Sequence, residues 1–118
     1  MTATRTRTPR PTEAQCQAAI VNAARTAGWL VHHTRPALQR SGKWATPLQG
    51  HRGFPDLVMC HPHRHELLIV ELKRKPNKIE PDQQRWLDAL DGAGVVAAVW
   101  FVPEEMDDLL ATIVGRPR

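Results

Sequence analysis

Apolar residues recur along this chain at two spacings, one helical and one alternating, and the switches between them predict its elements. Cys16, Ala19, Ile20, Ala23, Ala24 and Ala27 keep helical spacing, with Thr12 and Gln15 forming a capping-box pair ahead of them and Gly28 supplying a stop. Trp29 to Thr34 is bulky and partly β-branched, as a strand requires. Leu57–Cys60 and Leu67–Lys73 read as two further strands, joined through His61-Pro62-His63-Arg64-His65-Glu66 as a solvated hairpin turn. Pro81 suits a first helical position, and Gln83, Trp86, Leu87 and Leu90 then share a face, with Trp86 expected in the core. The run Val95 to Val102 is apolar at every position, so a central strand covered by helices on both faces is expected. Pro103-Glu104-Glu105 opens a last helix with Met106, Leu109, Leu110 and Ile113 facing inward and its acids in solvent. The order is α-β-β-β-α-β-α, an α/β chain with a hairpin-containing mixed sheet flanked by helices.

Outside these elements the pattern lapses. Residues 1–11 alternate Thr with Arg and hold nothing to bury, which marks a disordered basic arm; residues 12–114 form the domain and 115–118 a short basic tail. Between Arg35 and Arg52 runs a loop with four basic residues, no acid, and Trp44. Loops of that length are usually functional or disordered. Arg35, Arg40, Lys43 and Arg52 could meet phosphates while Trp44 stacks on a base or wedges at a branch point, or the loop could be mobile with Trp44 packed back on the core.

At 118 residues the chain holds one core. No apolar run reaches the roughly 20 residues of a membrane helix and no export signal opens the chain, so a cytoplasmic protein without a membrane partner is expected. Cys16 and Cys60 both sit in apolar surroundings and read as buried free thiols. The three alternate histidines of the turn, splayed by Pro62, complete no zinc spacing. The net charge of +4 lies mostly in the tails, but within the domain residues 35–78 carry nine Lys or Arg against three acids, and residues 79–114 carry one against eight. Two of the three acids in the basic half are Asp56 and Glu71, a carboxylate pair in a segment suited to a polyanion.

Alternation along a strand puts Glu71 and Lys73 on one face and Leu72 on the other. A turn near His63 brings the start of one strand to the end of the next, so Asp56 should meet Glu71. Charges in so apolar a setting need a partner, and a divalent metal would supply one. Two carboxylates, the Leu72 carbonyl and waters form the incomplete oxygen shell that Mg²⁺ prefers when phosphate completes it. Lys73 could orient or help deprotonate the attacking water.

Pro55-Asp56 followed by Glu71-Leu72-Lys73 resembles the P-D-(D/E)-x-K signature of restriction-endonuclease-like nucleases. Gly53-Phe54-Pro55-Asp56-Leu57, Val70-Glu71-Leu72-Lys73 and Ile79-Glu80-Pro81-Asp82-Gln83-Gln84-Arg85-Trp86-Leu87 look more narrowly like the VRR-NUC branch, over roughly residues 13–102. The resemblance implies an αβββαβ core and Mg²⁺- or Mn²⁺-dependent hydrolysis of DNA phosphodiesters. Asp56 and Glu71 would be metal ligands, Lys73 the catalytic lysine, Gln83 a site residue, and Glu13 a holder of the metal's water shell. Where the family often caps its second helix with serine, this chain has Glu80. Stand-alone members of this size resemble Holliday-junction resolvases, which implies branched DNA, a homodimer, and a bacterial or phage-infected cell as the setting for repair or recombination. Arg74, Lys75 and Lys78, just beyond the strand, would add to the grip of Arg52 and the loop. A binding module on the same fold, without hydrolysis, is the competing reading.

Overall fold

A computed structural model describes residues 9–33, 37–38, 44–45 and 50–115. Helix α1 (Glu13–Thr26) starts at the expected capping box: Gln15 N–H donates to Thr12 Oγ1 at 3.1 Å and Thr12 N–H to Gln15 Oε1 at 2.9 Å. Strands β1 (Leu30–His33), β4 (Leu57–His61), β5 (Glu66–Lys73) and β6 (Ala97–Phe101) form one sheet in the order β1-β4-β5-β6. The first three are antiparallel, whereas β5 and β6 run parallel through a crossover that carries helix α2 (Pro81–Gly92). Helix α3 (Met106–Val114) closes the chain. The expected order of elements and the mixed sheet are both present.

The core occupies one face of this sheet. Leu57 and Met59 of β4 and Leu68, Val70 and Leu72 of β5 point into it, where they meet Cys16, Ile20 and Ala24 of α1 and Leu109 and Ile113 of α3. Burying a side chain of this size fully contributes about 1.5–3 kcal/mol relative to exposure. Ile69, Glu71 and Lys73 occupy the other face of β5 by alternation, and α2 lies beside β6 on that side.

Four expectations are corrected. The apolar run at Val95–Val102 becomes an edge strand, because among the described residues β6 pairs with β5 alone and its own residues are half-buried. An unbroken apolar run reports cover on both faces and carries no information about neighbours on both edges. Cys16 is buried, but Cys60 is exposed: strand alternation turns it away from Leu57 and Met59. The stretch expected as loop contains a ribbon of two-residue strands, β2 (Ala37–Leu38) and β3 (Trp44–Ala45), paired antiparallel. Lastly, the hairpin is not wholly solvated, since His61 belongs to β4 and is buried.

His61 acts as a staple. Its Nδ1 accepts from the backbone N–H groups of His63 (3.3 Å) and Arg64 (3.1 Å), which puts the ring proton on Nε2, 2.9 Å from the Ala27 carbonyl. The ring meets Trp29 edge to face at 5.3 Å, and Trp29 donates from Nε1 to the Ile113 carbonyl at 2.7 Å. Arg64 lies over Trp29 and donates to the same carbonyl at 3.0 Å. The hairpin therefore ties the α1–β1 junction to the end of α3. None of the described helices is long and apolar enough to cross a membrane. Replacing His61 with Leu should strand the Ala27 carbonyl and two turn N–H groups, lowering stability by about 2–3 kcal/mol in urea denaturation.

Candidate active site

The site forms at the end of the β4–β5 pair opposite to the hairpin turn. The register Leu57↔Val70 through His61↔Glu66 continues one step to set Asp56 across from Glu71. Asp56 lies just before β4, and its Oδ2 accepts from the Leu72 N–H at 2.9 Å. The side chain thus extends the ladder where the β4 backbone leaves it, and Asp56 is held against the strand that carries Glu71 and Lys73.

Glu71 is only 3% exposed. Its Oε1 accepts from Gln83 Nε2 at 2.9 Å and lies 3.9 Å from Lys73 Nζ, while Oε2 is buried with no hydrogen-bond partner among the described residues. Burial, and next the Asp56 carboxylate, push the Glu71 pKa up to about 8; the Lys73 ammonium pulls it down without cancelling them. Glu13, in the first turn of α1, is also raised, chiefly by burial and then by Asp56, with Lys73 opposing. Helix α1 therefore brings a third carboxylate into the field of the sheet pair. Its approach is set from behind, because Arg74 Nε, immediately after β5, donates to the Pro11 carbonyl ahead of α1 at 2.9 Å. Among the described residues no three His, Cys, Asp or Glu side chains gather closely enough to hold a metal by themselves.

Gln83 is fixed at both ends of its amide. Oε1 accepts from the Glu80 N–H at 2.8 Å, closing the start of α2, and Nε2 reaches Glu71. Glu80 in the place of serine leaves that approach intact. The segment before Asp56 is pressed on the same helix start. A Cβ at Gly53, where φ is +94°, would lie 2.5 Å from the Asp82 carbonyl carbon and 2.7 Å from the Gln83 nitrogen, so only glycine permits the contact. Phe54 meets Trp86 edge to face at 5.0 Å, and Trp86 Nε1 donates to the His51 carbonyl over a long 3.4 Å. Trp86 is half-exposed on this contact and not a core residue, which corrects the expectation from helical spacing.

The basic residues are dispersed. Arg52 is exposed next to Gly53, Lys78 is exposed in the connector, Arg74 is engaged with Pro11, and Lys75 lies 5.7 Å from the Phe101 ring. Arg35, Arg40, Lys43 and the Trp44 side chain lie outside the described residues. Sequence reasoning missed the supporting contacts of Gly53, Phe54 and Trp86; the signal available was the glycine directly ahead of Phe-Pro-Asp.

A family model described as the VRR-NUC domain matches residues 10–103. The chain belongs to the VRR-NUC family. This is a nuclease-domain family, so the chain carries a nuclease fold directed at nucleic acid. A solved structure described as a VRR_NUC domain is 23% identical, with a TM-score of 0.61 over 83% of this chain and 92% of its own. A second, described as a VRR_NUC domain protein, is 20% identical, with a TM-score of 0.56 over 89% of this chain and 87% of its own. At these identities the likeness is one of fold. No curated protein matches. All five gathered residues, Glu13, Asp56, Glu71, Lys73 and Gln83, fall inside the VRR-NUC span.

Two outcomes follow for this VRR-NUC domain. Gly53→Ala should lower its stability by about 2 kcal/mol or more, measured by chemical denaturation, since it adds left-handed strain to a backbone clash. With EDTA present, folded Glu71 keeps a proton that the unfolded chain releases from its usual value of 4.5 upward. Its contribution is complete below pH 4.5 and is lost as pH rises through about 8. Wild type should therefore fall behind Glu71→Gln by on the order of a few kcal/mol across that window in paired denaturation curves.

Proposed function

We propose that this VRR-NUC domain is a Mg²⁺- or Mn²⁺-dependent DNA endonuclease whose reacting centre is Asp56, Glu71 and Lys73. The observation that carries the reading is the buried Oε2 of Glu71, which has no hydrogen-bond partner among the described residues and belongs to a carboxylate set opposite Asp56. A cation fits this donor set. It would turn the repulsion that raises Glu71 into attraction, and two carboxylates are the usual protein complement for Mg²⁺. The N–H and C=O of a strand residue point to the same edge, so the Leu72 carbonyl faces the side on which Asp56 holds the Leu72 N–H. Asp56, Glu71 and that carbonyl would hold the ion directly, and Glu13 would act through its water shell.

When bound, the ion supplies Lewis-acid stabilisation of the charge that develops on the phosphodiester oxygens. The remaining work belongs to the chain. Lys73, beside Glu71, orients the attacking water and attracts the phosphate. Gln83 occupies Oε1 of Glu71 and so leaves Oε2 for the site. Asp56 locks its own position through Leu72, which keeps the two carboxylates in register. Glu13 adds negative charge on the α1 side.

For substrate we propose branched or otherwise structured DNA, cut by a homodimer that presents two sites. Support for the dimer is a row of exposed residues in register across three strands: Leu30 (67% exposed), Cys60 and Leu67 (44%). A continuous apolar row on an open sheet face is the kind of surface that a second copy covers. Light scattering should give twice the chain mass, and Leu30→Glu with Leu67→Glu should reduce it to one.

Linear, flap and four-way-junction DNA incubated with Mg²⁺ should be cut in the order junction or flap above linear, with no cutting in EDTA. Asp56→Ala and Lys73→Ala should each lower the rate by about 100-fold or more. Intact DNA, or equal cutting by these variants, would overturn the assignment and leave a binding module.

A further inference from the structure

Beside the site, between His51-Arg52 and α2, lies a cleft of about 210 Å³ whose chemistry the reacting centre does not use. Among the described residues it is lined by His51, Arg52, Asp82, Arg85, Trp86 and Ala89. Its size is below the roughly 300 Å³ at which pockets begin to enclose a whole small ligand. It suits one planar group with the rest of the molecule outside.

The lining fits a nucleotide better than a bare anion. Phe54 meets Trp86 edge to face, so that contact occupies at most one broad face of the indole. An aromatic face stacks on any base. Arg52 and Arg85 are both exposed, and neither is ion-paired among the described residues, so they offer two forks for phosphate oxygens. Asp82 would weaken the hold on a free phosphate, but its carboxylate accepts from the exocyclic amine of a base. A ligand with an aromatic ring, an amine donor and flanking phosphates satisfies Trp86, Asp82, Arg52 and Arg85 together.

The cleft is also tied to the reacting centre. Asp82 adjoins Gln83, whose amide holds Glu71, and Gly53 lies against both backbones. Three residues separate Arg52 from Asp56, so their Cα atoms, four peptide steps apart, are at most about 14 Å from each other. A strand whose phosphate sits at Asp56 and Glu71 therefore passes this cleft within a short reach.

We propose that the cleft seats one unstacked nucleobase of the substrate strand, with Trp86 as its stacking platform and Arg52 and Arg85 on the neighbouring phosphates. The proposal rests on the nuclease reading for the path of the strand, and it adds a requirement for an unpaired nucleotide next to the cut. Duplex DNA, whose bases are stacked, cannot fill the cleft without local opening. The selection of structured over linear DNA would then be made here, by the availability of a free base.

The test uses the full chain in EDTA, so that binding is read without cleavage. Anisotropy of labelled single-stranded and fully paired oligonucleotides of equal length is measured for wild type, Trp86→Leu, Trp86→Phe, and the double variant Arg52→Ala with Arg85→Ala. Wild type should prefer the single strand. Trp86→Leu should weaken single-strand binding by about 10- to 100-fold with a much smaller effect on duplex, and Trp86→Phe should restore most of it. The arginine pair should weaken single-strand binding and flatten its salt dependence. If circular dichroism shows that Trp86→Leu is unfolded, the Trp86→Phe and arginine variants decide. Equal affinity of wild type for both oligonucleotides, or single-strand binding unchanged in the folded variants, overturns the proposal. Failure of the nuclease reading is distinguishable: DNA would stay intact in Mg²⁺ while the Trp86-dependent preference for single strands persisted.

Discussion

A carboxylate enclosed in a sheet, with one oxygen that no donor reaches among the described residues, is the constraint around which this molecule is arranged. Glu71 is unfavourable as an anion where it lies, because water is excluded and Asp56 stands opposite with the same sign. Lys73 at 3.9 Å and the Gln83 amide compensate only one of its oxygens. An unsatisfied buried carboxylate destabilises a fold, so its persistence here requires that the surrounding structure be strong enough to carry it. That strength comes from the even positions of the same strand, where Leu68, Val70 and Leu72 are sealed against α1 and α3.

The supporting shell has a consistent logic. Three of the pieces around Glu71 are held by a backbone contact of their own. Gln83 is held by the Glu80 N–H, Asp56 by the Leu72 N–H, and the start of α1 by Arg74 on Pro11. Gly53 lets the chain leading to Asp56 lie directly on the first turn of α2. Polar groups locked in this way lose little freedom when a charged ligand arrives, which is the physical content of preorganisation.

Much of this was legible in the residues. Period-two alternation and the length of the hairpin were enough to place Asp56 opposite Glu71, because a strand pair obeys simple counting. Only family resemblance points to Gln83 and Glu13; nothing in helical spacing says that a polar residue on a helix start will turn toward a distant strand. The errors have physical causes. Val95–Val102 was apolar throughout, yet apolarity measures what covers a strand and not what pairs with it. Their neighbourhood points Cys60 and Trp86 to the core, but face parity sends the first outward and Phe54 holds the second at the rim. His61 looked like a turn residue because its role depends on Ala27 and Trp29, which are remote in sequence. The ribbon β2–β3 is too short for any periodicity to show.

The alternation of β5 separates two kinds of heredity. Leu68, Val70 and Leu72 answer to folding, and Glu71 and Lys73, on the opposite face, to chemistry, so substitutions can accumulate on one side with little effect on the other. A lineage could retune thermal tolerance through Leu68, Val70 and Leu72 while leaving Glu71 and Lys73 untouched, or lose activity at the odd positions and keep a stable scaffold. An inactive descendant that replaced Glu71 with a neutral residue would still fold, which makes this strand a ready starting point for new binding proteins.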